Sequence, residues 1–101
     1  MLEELCTAIG NKNIVILRGK NDRGDRTVEP HIVYEAPNGN VLVDFYQTAG
    51  YTSSGNLPAW RRLGIDDIVE LRTLTNHFET RVREGYNPSN KRRYFRIICM
   101  V

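Results

Sequence analysis

Hydrogen-bond donors suited to an anionic ligand are scattered along the middle of the chain, and aromatic residues lie between them. Arginine guanidinium groups match phosphate oxygens with two parallel hydrogen bonds, and serine hydroxyls and the N–H groups of a glycine-rich loop add further donors. Tryptophan and tyrosine rings stack on nucleobases of any identity, which contributes about 1–3 kcal/mol per base. The residues of this set are Arg26, His31, Tyr46, Ser53, Ser54, Trp60, Arg61 and Arg62. Together they predict a binding site for a nucleotide or for single-stranded nucleic acid.

The same residue types also have an ordinary structural interpretation. Trp60 suits a hydrophobic core, Arg61 and Arg62 suit the protection of an edge strand against aggregation, and the serines are common in loops. Both interpretations stay open on residue types alone.

The sequence lacks the motifs that assemble an active site. It has no GxxxxGK[ST] phosphate loop, no GxSxG nucleophile elbow, no HExxH motif and no paired-thiol metal motif. The histidines His31 and His77 are more simply explained as hydrogen-bonded residues than as catalytic bases, and Asp66 and Asp67 as residues of a turn. We therefore expect a protein that is not an enzyme and uses neither a metal nor a cofactor. A hydrolase built on His31 or the serines is the less favoured alternative.

Charge is distributed unevenly along a chain whose formal net charge is only +2. Residues 78–101 carry six arginines or lysines against two glutamates, whereas the remainder is close to neutral or acidic. A basic run of this kind is most often a solvated surface. The sequence leaves open whether this one contacts a ligand or only solvent.

Cys6 and Cys99 lie near opposite ends of the chain. They have no CxxC spacing and no other Cys or His at the separation of zinc ligands, so they predict two reduced thiols and hence a cytoplasmic protein. No stretch approaches the ~20 apolar residues that cross a bilayer, and the N-terminus lacks the pattern of a signal peptide. We expect no association with a membrane.

A chain of 101 residues has the length of one domain. The helical spacing of apolar residues predicts a helix within 1–11, and the β-branched run 13–20 predicts a first strand. Asn38 and Gly39 between two β-rich runs predict a hairpin that pairs the second and third strands antiparallel, with both turn residues at positive φ. Alternation in the third strand then places Asp44 and Tyr46 on one face and the valines and Phe45 on the other.

The second half of the chain begins with an unusually long loop, 49–59, which is rich in Gly, Ser and Asn. The run 60–74 predicts two short strands joined by a tight turn, with a helix over 65–74 as the alternative. The run 93–101 predicts a last strand. The fold class is therefore mainly β with one N-terminal helix: a helix in 1–11, a small antiparallel barrel in 13–75 and a basic C-terminal extension in 76–101.

Pro30 lies inside the second predicted strand. Proline cannot donate to a sheet ladder, so it belongs at an edge or at a bulge. We expect Pro30 to end ladder pairing so that the strand bends, with Arg26 and His31 exposed near the rim. In the alternative interpretation Pro30 marks only a corner, and Glu29 forms a surface ion pair with Arg26 or Arg61.

Several short motifs follow one another in a fixed order: RTVEPH, VLVDFY, SSGNLPAWRRLGIDDI, HF and REGYNPSNK. In this order they resemble the WYL domain family of bacteria, and more narrowly its small stand-alone members, over nearly the whole chain. Two features depart from the family pattern. Val41-Leu42-Val43 stands in place of the Trp-Tyr-Leu triplet, and Asp67 stands where the family usually has an arginine.

The resemblance implies an Sm- or SH3-like barrel and a regulatory module that senses or binds nucleotides or nucleic acids. Such domains are mostly fused to helix-turn-helix transcription factors, helicases, or phage-defence and CRISPR proteins. The resemblance assigns a positively charged ligand site to Arg26, Tyr46 and Arg61, with His31 and Ser54 as looser correspondences. We expect these side chains to share one concave surface. The alternative is a protein-interaction module, or a homodimer that associates through its apolar last strand.

Overall fold

The computed structural model describes residues 1–101. One helix precedes six strands, and a single 3₁₀ turn over Ile65–Asp67 joins the fourth strand to the fifth. The elements are α1 (Leu2–Gly10), β1 (Asn13–Gly19), β2 (Arg26–Glu35), β3 (Val41–Gly50), β4 (Ala59–Gly64), β5 (Ile68–His77) and β6 (Arg96–Met100). The prediction of a mainly β protein with one N-terminal helix is confirmed. The alternative helix over 65–74 is wrong, because β5 occupies most of that run.

The strands form one antiparallel sheet in the order β4-β3-β2-β1-β5. β2 is bordered by β3 along its whole length, while β1 pairs with its first half and β6 with its second half. No pairing joins β4 to β5. The sheet is therefore open, and the predicted closed barrel is not confirmed.

The hairpin between β2 and β3 forms where Asn38 and Gly39 predict it. The backbone N–H of Ala36 donates to the carbonyl of Asn40 over 2.8 Å, and that of Gly39 donates to the carbonyl of Ala36 over 2.9 Å. Within this hairpin loop only Gly39 has a positive φ, at 89°. The expected two-residue turn with two positive φ values is wrong, because the loop is longer and Gly39 alone takes up the left-handed conformation.

Pro30 does not end ladder pairing as predicted. Pro30 pairs with Phe45 and Ile32 pairs with Asp44, with a register shift between them that leaves His31 as the extra residue. The strand therefore continues through a β-bulge, which turns successive side chains of β2 toward the same face.

One face of the sheet, which we call the inner face, is covered by α1. Leu5, Ala8 and Ile9 recur at helical spacing and are almost completely buried. They pack against strand residues that include Val28 and Phe45. The other buried members of this core are Val15, Leu17, Val33, Val43 and Ile68.

The opposite face, which we call the outer face, is covered by residues 78–95, which we call the cover segment. The cover segment runs between β5 and β6 as a series of turns without a regular helix or strand. Its Tyr86 and Tyr94 are 8% and 7% exposed and pack against Ile32 and Tyr34 of β2. The region predicted as a basic extension thus contains the end of β5, a packed cover and β6.

A disulfide bond joins Cys6 of α1 to Cys99 of β6, across 93 positions of sequence. The prediction of two reduced thiols is wrong, because the fold brings both ends of the chain to the edge of the inner core. Disulfides are rare in the reducing cytosol, so the cysteines no longer support a cytoplasmic location. The only helix, of nine residues, is too short to cross a bilayer.

The Cys6→Ser/Cys99→Ser variant tests the contribution of this bond. A cross-link that closes a loop of this length lowers the entropy of the unfolded chain, so its loss should reduce the free energy of unfolding by about 2–5 kcal/mol. Urea denaturation without reductant measures the difference. The control is the same pair of proteins in excess dithiothreitol, where their stabilities should converge. Equal stability under oxidising conditions would show that the bond does not constrain the chain.

Candidate anion-binding site

The predicted ligand residues lie on both faces of the sheet. In the ladder between β3 and β4, Arg61 pairs with Phe45 and Trp60 pairs with Tyr46. Paired residues of antiparallel strands point to the same face and consecutive residues to opposite faces. Arg61 therefore belongs to the inner face, and Trp60 and Tyr46 to the outer face. The single concave surface expected for Arg26, Tyr46 and Arg61 is not formed.

Arg26 is held by internal partners. Its Nε and Nη2 donate to the two carboxylate oxygens of Asp22 over 2.7 and 2.8 Å, and Nη1 donates to Oε1 of the buried Gln47 over 3.2 Å. The side chain of Arg26 is only 12% exposed. Hydrogen bonding by this guanidinium holds the pKa of Asp22 below its usual value. Arg26 therefore stabilises the 19–26 connection and is not exposed at the rim as predicted.

Arg61 is bound to the long loop that precedes β4. Its Nη2 donates to Oγ of Ser54 over 2.8 Å and to the carbonyl of Asn56 over 3.2 Å. Ser53 is exposed and lines a separate surface pocket together with Arg26. The structure thus brings Ser53, Ser54, Arg26 and Arg61 to one end of the inner face, where the arginines hold loops in place.

Tyr46 and Trp60 lie together on the outer face, with ring centroids 5.3 Å apart. The guanidinium carbon of Arg81, from the cover segment, lies 4.7 Å from the centroid of Tyr46. Arg81 also forms two hydrogen bonds, of 2.7 and 3.0 Å, with the carboxylate of Glu29. Glu29 is therefore paired with Arg81, so the alternative pairing with Arg26 or Arg61 is wrong.

His31 is completely buried, so the prediction that it is exposed near the rim is wrong. Its Nδ1 donates to the carbonyl of Glu29 over 2.8 Å, and its Nε2 accepts the backbone N–H of Arg81 over 3.1 Å. The ring packs among Trp60, Phe78 and Tyr86. Both nitrogens of the neutral ring are used, which leaves none free to act as a base or to meet an anion.

Asp44 organises the other end of the outer face. Its side chain is 3% exposed. Oδ1 accepts the hydroxyl of Tyr34 over 2.8 Å and Nε of Arg62 over 3.1 Å. Oδ2 accepts Nε of Arg93 over 2.9 Å and the hydroxyl of Tyr94 over 3.0 Å. Four donors occupy the four acceptor positions of the carboxylate, so Asp44 has no capacity left for a ligand.

The two arginines on Asp44 keep most of their donors. Each uses Nε for the carboxylate, and the Nη atoms of Arg62 and Arg93 make no hydrogen bond within the protein. Their side chains are 42% and 45% exposed. Burial raises the pKa of Tyr94 to about 12, so its hydroxyl remains a donor to Asp44 at neutral pH. The arrangement therefore presents two guanidinium edges to solvent in fixed positions.

A pocket of about 200 Å³ opens next to Arg93. Asp44 and Trp60 of the sheet form one side of this pocket. The cover segment forms the other side with Gly85, Tyr86, Asn87, Asn90, Arg93 and Tyr94. We call it the Arg93 pocket. It joins donor groups to aromatic walls, which is the combination that suits a phosphate next to a base or sugar.

Of the predicted ligand residues, only Trp60 lines the Arg93 pocket. The sequence-based prediction missed Asp44, Arg93, Tyr94 and the two asparagines. Two signals were present: Asp44, which shares one face of β3 with Tyr46, and the basic surplus of residues 78–101. What could not be foreseen is that these distant segments meet.

No three or more His, Cys, Asp or Glu side chains come together in a way that would hold a metal ion. Comparison of the chain with family models, with curated proteins and with solved structures finds no match. The resemblance to the WYL domain family therefore stays a prediction.

The pH dependence of stability tests the buried position of His31. Burial lowers the pKa of His31 below its usual value of 6.5, so the unfolded chain binds a proton as the pH falls through about 6.5 while the native protein does not. The free energy of unfolding should therefore fall between pH 7 and pH 5, by at most about 1.4 kcal/mol per pH unit. Urea denaturation at several pH values measures the slope.

A His31→Gln variant should lose stability at pH 7 but show a flatter slope below it. His77→Gln is the matched control, because His77 is exposed on β5. The lowered pKa of Asp22 affects stability only near and below its usual value of 3.8, outside this range. An NMR titration in which the His31 ring of the native protein takes up its proton near 6.5 would contradict the assignment.

Proposed function

We propose that the protein is a non-enzymatic binding module for a phosphate-bearing ligand, either a nucleotide or single-stranded nucleic acid, and that the phosphate binds at the Arg93 pocket. The observation that carries the proposal is Arg93, which lines the pocket and is held on Asp44 through Nε, while Arg62, on the other oxygen of Asp44, adds positive charge from outside the pocket lining. Because Arg93 is fixed through Nε, its Nη donors are oriented before a ligand arrives. Preorganised donors avoid the entropy cost of ordering long side chains on binding.

The local charge supports the same choice of site. One carboxylate and two guanidinium groups leave an excess of one positive charge at Asp44. At the pocket beside Arg26, by contrast, Arg26 is balanced by Asp22 and Lys20 by Asp67. An anion gains more from the first site than from the second. Lys91 and Arg92, exposed just before Arg93, add to the positive field around it.

The aromatic walls suit the part of the ligand next to the phosphate. Trp60 is half-buried and stacks on Tyr86, with centroids 6.1 Å apart and an interplanar angle of 26°. Its indole N–H donates to the carbonyl of Glu84 over 2.7 Å, which fixes the ring. Stacking on a fixed aromatic surface is tolerant of base identity, in keeping with a sensor of nucleotides or single strands. The regulatory role implied by the resemblance to WYL domains is part of this proposal.

The Arg93→Lys variant tests the proposal. Lysine keeps the charge and the attraction to Asp44 but lacks the Nη pair, so binding of a fluorescent oligothymidylate at low salt should weaken by about 10- to 100-fold, the equivalent of about 1.4–2.7 kcal/mol. Fluorescence anisotropy measures the affinity. The logarithm of the affinity should fall with the logarithm of salt concentration, by about 0.7 for each phosphate contacted.

Arg72→Lys is the matched control, because Arg72 is exposed on β5 and forms no ion pair. It should bind like the wild-type protein. If the wild-type protein binds neither oligonucleotides nor nucleoside phosphates at low salt, the proposal fails. If Arg93→Lys and Arg72→Lys behave alike, the phosphate binds elsewhere.

A second candidate function is self-association through β6. This strand pairs with β2 on one side only. Its Ile98 and Met100 are each 42% exposed, and the adjacent Phe95 is 59% exposed. An apolar strand with one free edge is able to pair with the same strand of a second copy around a two-fold axis.

Sedimentation velocity over a wide range of protein concentration tests this candidate. Association of the wild-type protein should increase with concentration, and Ile98→Lys should abolish it by placing a charge in the interface. Val82→Lys is the control, because Val82 is exposed on the cover segment. A wild-type protein that stays monomeric throughout contradicts the candidate.

A further inference from the structure

We infer that the Arg93 pocket takes a terminal phosphate, that is, the phosphomonoester of a strand end or of a nucleoside monophosphate, in preference to an internal phosphodiester. The inference rests on the proposed function and specifies its ligand more narrowly. Four features of the pocket carry it: its size, the donors of its rim, the orientation of its amides and its charge.

The size of the pocket suits a ligand group rather than a whole ligand. Clefts that enclose drug-sized molecules measure about 300–1,000 Å³, whereas the Arg93 pocket measures about 200 Å³. Three of its lining residues, Asp44, Tyr86 and Tyr94, are nearly buried and close off its deep end. A pocket of this size with buried inner walls accommodates the end of a chain more readily than a backbone that must both enter and leave.

The donors come from three residues of the cover segment. Arg93, Asn87 and Asn90 line the pocket, and each has donor atoms without a partner in the protein: the Nη atoms of Arg93 and the amide nitrogens of the two asparagines. A phosphomonoester has three non-ester oxygens and a phosphodiester has two. Donor groups on three separate residues therefore match the monoester, with each residue able to serve a different oxygen.

The orientation of both amides is fixed by the backbone. Oδ1 of Asn87 accepts the N–H of Ser89 over 3.2 Å, and Oδ1 of Asn90 accepts the N–H groups of Arg92 and Arg93 over 3.2 and 3.4 Å. Only an oxygen can accept these bonds, so the amide nitrogens are the free ends. Neither nitrogen has an acceptor within the protein, and each remains available to a ligand oxygen.

The charge of the site favours the same group. A phosphomonoester carries about −1.5 to −2 charges at pH 7 because its second pKa is about 6, whereas a phosphodiester carries −1. Asp44 has all four acceptor positions occupied, and its charge is exceeded by those of Arg62 and Arg93. The excess positive charge therefore attracts a phosphomonoester more strongly than a phosphodiester.

The experiment compares three oligothymidylates of about ten nucleotides, each labelled at the 3′ end. One carries a 5′-phosphate, one a 5′-hydroxyl and one a 5′-phosphate capped as its methyl ester, which is a diester. Fluorescence anisotropy at low salt gives the affinities. The 5′-phosphate strand should bind at least 10-fold more tightly than either of the others, and thymidine 5′-monophosphate should compete for it better than thymidine.

Asn87→Asp locates the preference within the pocket. Aspartate keeps the oxygen that accepts the Ser89 N–H and replaces the amide donor with an acceptor, so the turn should be retained while the end phosphate is repelled. The variant should bind the 5′-phosphate strand no more tightly than the 5′-hydroxyl strand, and thymidine 5′-monophosphate should no longer compete better than thymidine. Asn76→Asp, on the exposed surface of β5, makes the same charge change as a control and should keep the preference.

The outcomes separate the inference from the proposed function. Equal affinity for all three strands overturns the inference and leaves the proposed function standing. A preference that survives in Asn87→Asp also overturns it, because the end phosphate would then bind outside this pocket. Failure of every strand and of thymidine 5′-monophosphate to bind overturns both. A preference that is lost in Asn87→Asp and kept in Asn76→Asp supports the inference.

Discussion

The buried carboxylate of Asp44 is the constraint on which the outer face of the protein depends. A charge removed from water is tolerated only when its hydrogen-bonding positions are filled and a counter-charge is close. Here the donors come from β2, β4 and the cover segment, through Tyr34, Arg62, Arg93 and Tyr94. Both guanidinium groups stay partly in water. They therefore avoid much of the desolvation cost that can exceed the electrostatic attraction in a fully buried ion pair. The result is a polar joint that fixes one end of an irregular segment on a sheet.

A second polar joint fixes the beginning of the same segment. Glu29 accepts two hydrogen bonds from Arg81, and His31 accepts the backbone N–H of Arg81. Every buried side-chain nitrogen and oxygen in the protein has a partner, so neither joint leaves an unsatisfied group that would oppose folding. The bulge after Pro30 contributes directly, because it places both His31 and the following Ile32 on the outer face, against the cover segment. Polar residues in β2 and β3 thus attach the cover segment, and the aromatic residues between them fill the remaining space.

Local patterns were enough to predict the elements of the fold. The spacing of Leu5 and Ile9 indicates α1, and the β-rich runs indicate all six strands, because each of these signals lies within about ten residues. The residues of the site could not be placed in the same way, because the face to which a side chain points depends on register. A shift of one residue between β3 and β4 would exchange the faces of Trp60 and Arg61. The long loop between these strands has no turn motif from which their register could be predicted.

The partners in ion pairs and in the disulfide bond were even harder to predict from the sequence. Arg26 and Asp22 are four residues apart, yet Glu29 and Arg81 are 52 apart and Cys6 and Cys99 are 93 apart. Residue type indicates that a buried carboxylate needs a basic partner, but it does not identify which of the fourteen lysines and arginines is that partner. For the same reason, the resemblance assigned the ligand site to Arg26 and Arg61, which the structure uses to hold loops.

Under the proposed function, the separate roles of Nε and Nη in Arg93 link the stability of the fold to the binding of a ligand. Arg93 uses Nε to hold the cover segment on Asp44 and leaves its Nη atoms outside. Because the walls of the pocket come from both the sheet and the cover segment, a ligand that contacts both binds only when the segment is docked. Such a ligand must stabilise the docked state by mass action. Changes at Asp44 should therefore alter stability and binding together, whereas Asn87→Asp, which keeps the oxygen that accepts the Ser89 N–H, should alter binding alone.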